Sequence, residues 1–188
     1  MAQRGGVENP ALVLAIDTGK PVEWYEDLLY DDVVPIGDEM GGQGATGNAV
    51  SYFKILESLL NDDEKLLKSE TVKQMFTPQL AGPAKEACQQ FHELDMWEGK
   101  FTSYKVGTGV NWGLAGIIIE SDLDTGRKKG TLNWGGLPNL LWSIDRETGL
   151  ALFYAGNLLP FGDQASHRYQ QLFEKEMYDR LARLRSQL

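Results

Sequence analysis

GTLNWGGLPNLLWSIDRETGLALFY, running from Gly130 to Tyr154, is the stretch whose reading decides the fold. Three apolar segments, Gly130–Trp134, Asn139–Ile144 and Leu150–Tyr154, are separated by two turn signals. The first is Pro138 after a Gly-Gly pair, and the second is Asp145-Arg146-Glu147-Thr148-Gly149. Glycine, proline and short polar side chains are the residues that close tight turns. Connections this short join antiparallel neighbours, because parallel strands need a crossover of a dozen residues or more. The stretch therefore predicts a meander of adjacent antiparallel strands.

Upstream, Trp112 to Glu120 carries the run Ile117-Ile118-Ile119 and is expected to be a further strand, since β-branched side chains are stiff in a helix. Asp124-Thr125-Gly126 turns it toward Gly130. Downstream, Gln164 to Arg185 reads as a long amphipathic helix capped by Asp163. Tyr169, Leu172, Phe173, Met177, Leu181 and Leu184 are expected to face inward, with Glu176–Arg180 and Asp179–Arg183 pairs outside. A helix that follows a meander covers one face of its sheet, which makes the class α+β: an antiparallel sheet flanked by helices.

The first half reads differently. Residues 1–10 form a polar lead, expected to be flexible, ahead of a domain over 11–188. Ala11–Ile16 and Pro21–Tyr25 suggest two short strands, and Glu26–Glu39 an acidic loop. Ala49, Tyr52, Phe53, Leu56, Leu59 and Leu60 recur at helical spacing behind the N-cap candidate Asn48. A shorter helix follows, with Ser69 as its cap, Val72, Met75 and Phe76 on one face, and Thr77-Pro78 as its stop. Residues 81–107 are weakly periodic, with one helical stretch at about 85–94.

Composition excludes several functions. Eighteen basic residues against 27 acidic ones give a net charge of −9. Nucleic-acid affinity rests on cationic neutralisation of phosphates, and no basic run exceeds Arg127-Lys128-Lys129, so a nucleic-acid partner is not expected. The single Cys88 excludes a disulfide framework or a cysteine-rich metal site. No apolar run reaches the roughly 18 residues of a membrane span, and the start has no signal-peptide core, so a cytoplasmic chain is expected. No metal or other cofactor is expected.

Several motifs occur in a definite order: Gly41-Gly42-Gln43-Gly44, Ser51-Tyr52-Phe53-Lys54, Glu70-Thr71-Val72 with Met75-Phe76, and Gly113-Leu114. Lys129-Gly130, Trp134-Gly135-Gly136 with Pro138-Asn139, Ile144-Asp145 and the closing helix complete the series. It resembles the C-terminal part of the fungal serine transesterases and esterases of the β-lactamase-like superfamily, the group of the lovastatin side-chain acyltransferase. The resemblance runs from about Pro10 to near the C-terminus. It implies a β-lactamase/transpeptidase-like fold lacking the N-terminal helical region, and with it the nucleophilic serine, its lysine and a tyrosine that assists proton transfer. The family's third motif falls on Trp134, Gly135 and Gly136. The Leu137 N–H just past it is then the second oxyanion donor, beside the nucleophile's own N–H.

Ser51-x-x-Lys54 formally satisfies the family's serine motif, but Ser51, Lys54 and Ser58 share the polar stripe of their helix. A lysine expected to be solvated there is not placed to activate a hydroxyl. Tyr154-Ala155-Gly156-Asn157 has the wrong spacing and place for the tyrosine motif. His92 near Glu93 and Asp95, and Asp163 four residues before His167, are weak metal-ligand candidates read as surface polar residues. Trp97, Trp112 and Trp142 are read as core, whereas Trp134 is the aromatic candidate for an acyl pocket.

Two functions are carried forward. One is acyl transfer or ester hydrolysis in polyketide-type secondary metabolism, on a small-molecule acyl donor and acceptor, by an active site incomplete in this chain. The other is a non-catalytic remnant or partner-binding module that assembles with a complementing protein chain or as a homo-oligomer.

Overall fold

Val110–Trp112, Ile117–Ile119, Leu132–Gly136, Leu140–Asp145 and Leu150–Ala155 are the strands of a five-stranded sheet in the computed structural model, which describes residues 12–14, 45–93 and 107–187. Numbered β3 to β7 in chain order, they lie side by side in that order and every neighbouring pair is antiparallel. The register of the central pairs sets Leu132 opposite Ile144 and Trp134 opposite Trp142. The expected meander is present.

Trp112–Glu120 is not one strand, as expected, but two. The chain reverses within Gly113–Gly116, where the Gly113 N–H donates to the Gly116 carbonyl at 2.8 Å. Both glycines are there for close approach. A Cβ on Gly113 would run into the Met75 carbonyl oxygen, and one on Gly116 would lie 2.6 Å from that of Asn133. The β-branched run marks a strand correctly but not its length.

The chain divides near Lys54 into two units. In the first, β1 (Leu12–Leu14) pairs antiparallel with β2 (Ala45–Gly47). The expected partner strand at Pro21–Tyr25, the acidic loop, Gly41–Gly44, the 1–10 lead and Trp97 lie outside the described residues. Helix α1 (Ala49–Asn61) spans the division and starts as expected, with Asn48 Oδ1 accepting from the Ser51 N–H at 2.9 Å.

The second unit holds α2 (Ser69–Met75), α3 (Gly82–His92), the sheet, and α4 (Gln164–Arg185). Ser69 does not cap α2. Lys68 occupies that position, and the Ser69 hydroxyl donates to Asp62 at 2.9 Å instead. Val110, Ile117, Ile119, Leu132 and Ile144 are fully enclosed in the core, with Cys88 of α3 packed on the first three. Burying each such side chain is worth about 1.5–3 kcal/mol.

Helix α4 packs on the sheet but presents a different stripe from the one expected. Tyr169 is 63% exposed, and Leu172 and Leu184 are also exposed, while Ser166, Gln170, Glu174 and Tyr178 are buried. The inward positions repeat every fourth residue, and at three of them, Gln170, Glu174 and Tyr178, the polar side chain meets a polar partner beneath the helix. Outside, Glu176 pairs with Arg180 as expected. Asp179 takes Lys175 rather than Arg183, which joins Glu176.

Candidate functional site

Strand β5 ends at Gly136, β6 begins at Leu140, and the three residues between them form a tight turn. Pro138 has a ring-locked φ, and Asn139 follows with φ at +56°. This succession of proline and a left-handed residue suits the central positions of a type II turn. Leu137 is 48% exposed, and among the described residues its N–H makes no hydrogen bond. A backbone donor at the end of the Gly-Gly strand is thus left without a partner among the described residues.

Asn139 is only 1% exposed and holds this turn down. Its Nδ2 donates to the carbonyls of Leu158 and Pro160 at 2.7 and 2.9 Å. Its Oδ1 accepts from the N–H groups of Gly162 and Asp163 at 2.9 and 3.3 Å. Gln170 Nε2 of α4 donates to the Asn139 carbonyl at 2.9 Å, and the Leu158 N–H donates to that of Pro138 at 3.2 Å. Asp163 in turn caps α4, accepting from the Ser166 N–H at 2.7 Å. The sequence marks Asn139 only as part of the Pro138-Asn139 motif; its role as a clamp rests on burial and on bonds to residues 158–170.

Beside the turn, the Trp134 and Trp112 rings lie 4.8 Å apart between centroids, both half-buried against the core around Cys88. Trp134 is also opposite Trp142 in the ladder. The three atoms that a Cβ on Gly136 would meet first all belong to the flexible Leu140 side chain, the nearest at 3.2 Å.

No family model matches the chain. It is 36% identical over 157 residues to monacolin J acid methylbutanoyltransferase of Aspergillus terreus, covering 80% of this chain and 38% of that protein. To ML-236A carboxylate methylbutanoyltransferase of Penicillium citrinum it is 34% identical over 160 residues, covering 82% of this chain and 38% of the other. Unliganded simvastatin synthase from Aspergillus terreus superposes with a TM-score of 0.71 at 35% identity, over 76% of this chain and 37% of that one. The chain is a homologue of these fungal acyltransferases. It spans just over a third of their length, and its sheet and helices are part of a β-lactamase-like fold.

Within this acyltransferase homologue the other candidates take structural places. Ser51 is half-buried and Lys54 exposed on α1. Ser58 is not on a solvated stripe, as expected, but buried, donating to Asp63 at 2.5 Å. That bond and, above all, the one to Lys65 lower the Asp63 pKa to about 2. His92 is not at the surface. It is buried, and burial lowers its pKa. Asp163 is committed to its cap rather than to a site with His167. Tyr154 packs its ring 6.5 Å from that of Phe173. Cys88 is buried, and burial raises its thiol pKa, which suits a packing role. No group of three or more potential ligands is set to hold a metal among the described residues.

A polar network joins α4 to the other end of the sheet. Arg127 and Glu174 form a buried ion pair, with Arg127 Nε donating to Glu174 Oε2 at 3.0 Å and the Thr125 hydroxyl donating to Oε1. The Tyr178 hydroxyl donates to Asp145 Oδ2 at 2.8 Å, and burial together with the Asp145 charge raises its pKa. The basic run 127–129 is thereby dispersed: Arg127 lies inside, and Lys128 pairs with Asp122.

Proposed function

We propose that this chain supplies the sheet-bearing part of a serine-type acyltransferase, or an ester hydrolase of the same kind, acting on small-molecule acyl esters or thioesters of polyketide-type secondary metabolism. The observation that supports it is the exposed, unpaired Leu137 N–H at the end of Trp134-Gly135-Gly136, in a chain homologous to acyltransferases. In this reading a serine hydroxyl adds to the acyl carbonyl. The oxygen that becomes negative is held by the Leu137 N–H and by the N–H of the serine itself. The tetrahedral adduct then expels the alcohol or thiol with the proton taken from the serine. The acyl-serine passes its acyl group to an acceptor hydroxyl or to water.

The serine, its lysine and the assisting tyrosine come from a segment preceding the matched region or from a complementing chain in the cytoplasm. The half-buried Trp134 and Trp112 rings provide an apolar flank for the acyl chain. No cofactor takes part in the scheme.

The test is a burst assay with an activated ester, followed by intact mass, on the 188-residue chain alone and joined to the part of the Aspergillus terreus relative that it does not match. Acylation only in the joined protein is the expected outcome. A stoichiometric adduct on a serine of the chain alone would overturn the assignment of the nucleophile to another segment.

A second reading, a partner-binding module without chemistry, is favoured by one observation. Tyr169 and Leu172 are exposed on α4, and β7 has a neighbour on only one side among the described residues. Gel filtration combined with a fluorophosphonate serine probe separates the two. An assembled but unreactive complex supports the second.

A further inference from the structure

We propose that Asn139 is a positioning residue for the oxyanion donor, fixing the direction of the Leu137 N–H from two residues away. The inference rests on the acyl-transfer reading above and extends it to a residue that touches neither substrate nor the reacting atoms.

The turn itself does not account for an asparagine. Glycine takes a φ of +56° without steric cost, whereas a residue with a Cβ pays for that conformation. Asparagine tolerates it better than most, but what distinguishes it here is the side chain. One amide on a short arm supplies two donors and one doubly accepting oxygen. All are used within the loop 156–163 that leads into α4, through Leu158, Pro160, Gly162 and Asp163. Aspartate lacks the donors and would set a carboxylate against two carbonyl oxygens. Serine or alanine cannot span the loop.

The clamp acts on a short lever. Only Pro138 separates Leu137 from Asn139, its φ is locked, and its carbonyl accepts from the Leu158 N–H. Few soft torsions remain between the clamp and the Leu137 amide. The approach is close enough that a Cβ on Gly156 would lie 2.5 Å from the Asn139 carbonyl oxygen, which Gln170 also engages. The donor at Leu137 is therefore held before substrate arrives, which is the condition under which an oxyanion donor assists reaction without reorganising.

The experiment uses the joined protein of the preceding test, with Asn139→Gly and Asn139→Asp, and Tyr178→Phe as a control on the same helix that does not contact the turn. Asn139→Gly keeps the backbone conformation and removes the clamp. It is expected to lower kcat by about 10–100-fold, short of the 10²–10³-fold for outright loss of a donor. KM is expected to stay within about twofold, because the interaction forms only in the transition state. Asn139→Asp, which sets a carboxylate against the Leu158 and Pro160 carbonyls, is expected to lower kcat at least as much as Asn139→Gly, and Tyr178→Phe to leave kcat unchanged.

If the parent joined protein forms no acyl-enzyme, the acyl-transfer reading fails first and this inference with it. If the parent reacts and Asn139→Gly keeps kcat within about threefold, or changes KM alone, Asn139 merely supports the fold and only this inference fails. Should the glycine variant not fold, Asn139→Asp decides by the same readout. An undiminished kcat there overturns the proposal.

Discussion

Replacing Glu174 with alanine isolates the energetics of the α4 docking. The carboxylate accepts from Arg127 twice and from the Thr125 hydroxyl, and both charged side chains are buried. Without Glu174 the Arg127 guanidinium stays inside with no counter-charge from this helix. Removing one partner of a buried pair costs about 3–5 kcal/mol. Against a total stability of about 5–15 kcal/mol this is a large fraction. With a urea m-value of about 2 kcal/mol/M, the unfolding midpoint falls by about 2 M. Arg127→Met combined with Glu174→Leu removes both charges and fills the space. It is expected to recover most of the loss, because the pair's attraction and its desolvation cost nearly offset each other. Equilibrium urea denaturation followed by tryptophan fluorescence measures all three proteins. A midpoint shift below about 0.5 M for Glu174→Ala, or a double variant as unstable as the single, would refute the reasoning.

Tyr178 makes a pH prediction. Its pKa is raised in the folded state, so above pH 10 the unfolded chain gives up a proton that the folded one keeps. The contribution is whole below pH 10 and is lost as pH rises beyond it, at about 1.4 kcal/mol per pH unit. Stability of the parent between pH 10 and 11.5 is expected to fall more steeply than that of Tyr178→Phe by that slope, and equal slopes would contradict the assignment. Gly113→Ala drives a Cβ into the Met75 carbonyl and is expected to cost about 1–3 kcal/mol or more, read as a lower melting temperature. Ser51→Ala is expected to change stability by less than about 0.5 kcal/mol and acylation of the joined protein by less than about threefold. A hundredfold loss there would make Ser51 functional after all.

Strand order and direction were legible because Asp145–Gly149 and Pro138 leave no room for a crossover. The capping residues Asn48 and Asp163 were legible for a similarly local reason: each bonds an N–H three residues on. The inward face of α4 was not. Periodicity ranks faces by hydrophobicity, while this helix is placed by Arg127, Asp145 and the Asn139 carbonyl, which no window over residues 164–185 contains. Ser58 and His92 were misjudged because a lone polar residue carries no record in its own sequence of what surrounds it. At the candidate site the Gly-Gly strand end was visible. Its clamp was not, since Asn139 acts through residues 158–170, contacts of 19 to 31 positions' separation.

The buried side of α4 reaches three places at the ends of the strands: Gln170 the β5–β6 turn, Glu174 the β4–β5 connection, and Tyr178 the end of β6 at Asp145, its ring also lying against Gly126. A meander slipped by one residue turns every side chain to the opposite face and moves these partners out of reach. The helix therefore works as an error check on the sheet, accepting it only when all three places are aligned. Chains lengthened or shortened at any of the three places are expected to retain hairpins yet leave α4 undocked, exposing the polar row that only the correct register can satisfy. The Gly113–Gly116 turn takes no part in these three hydrogen bonds and relies on its own glycines instead.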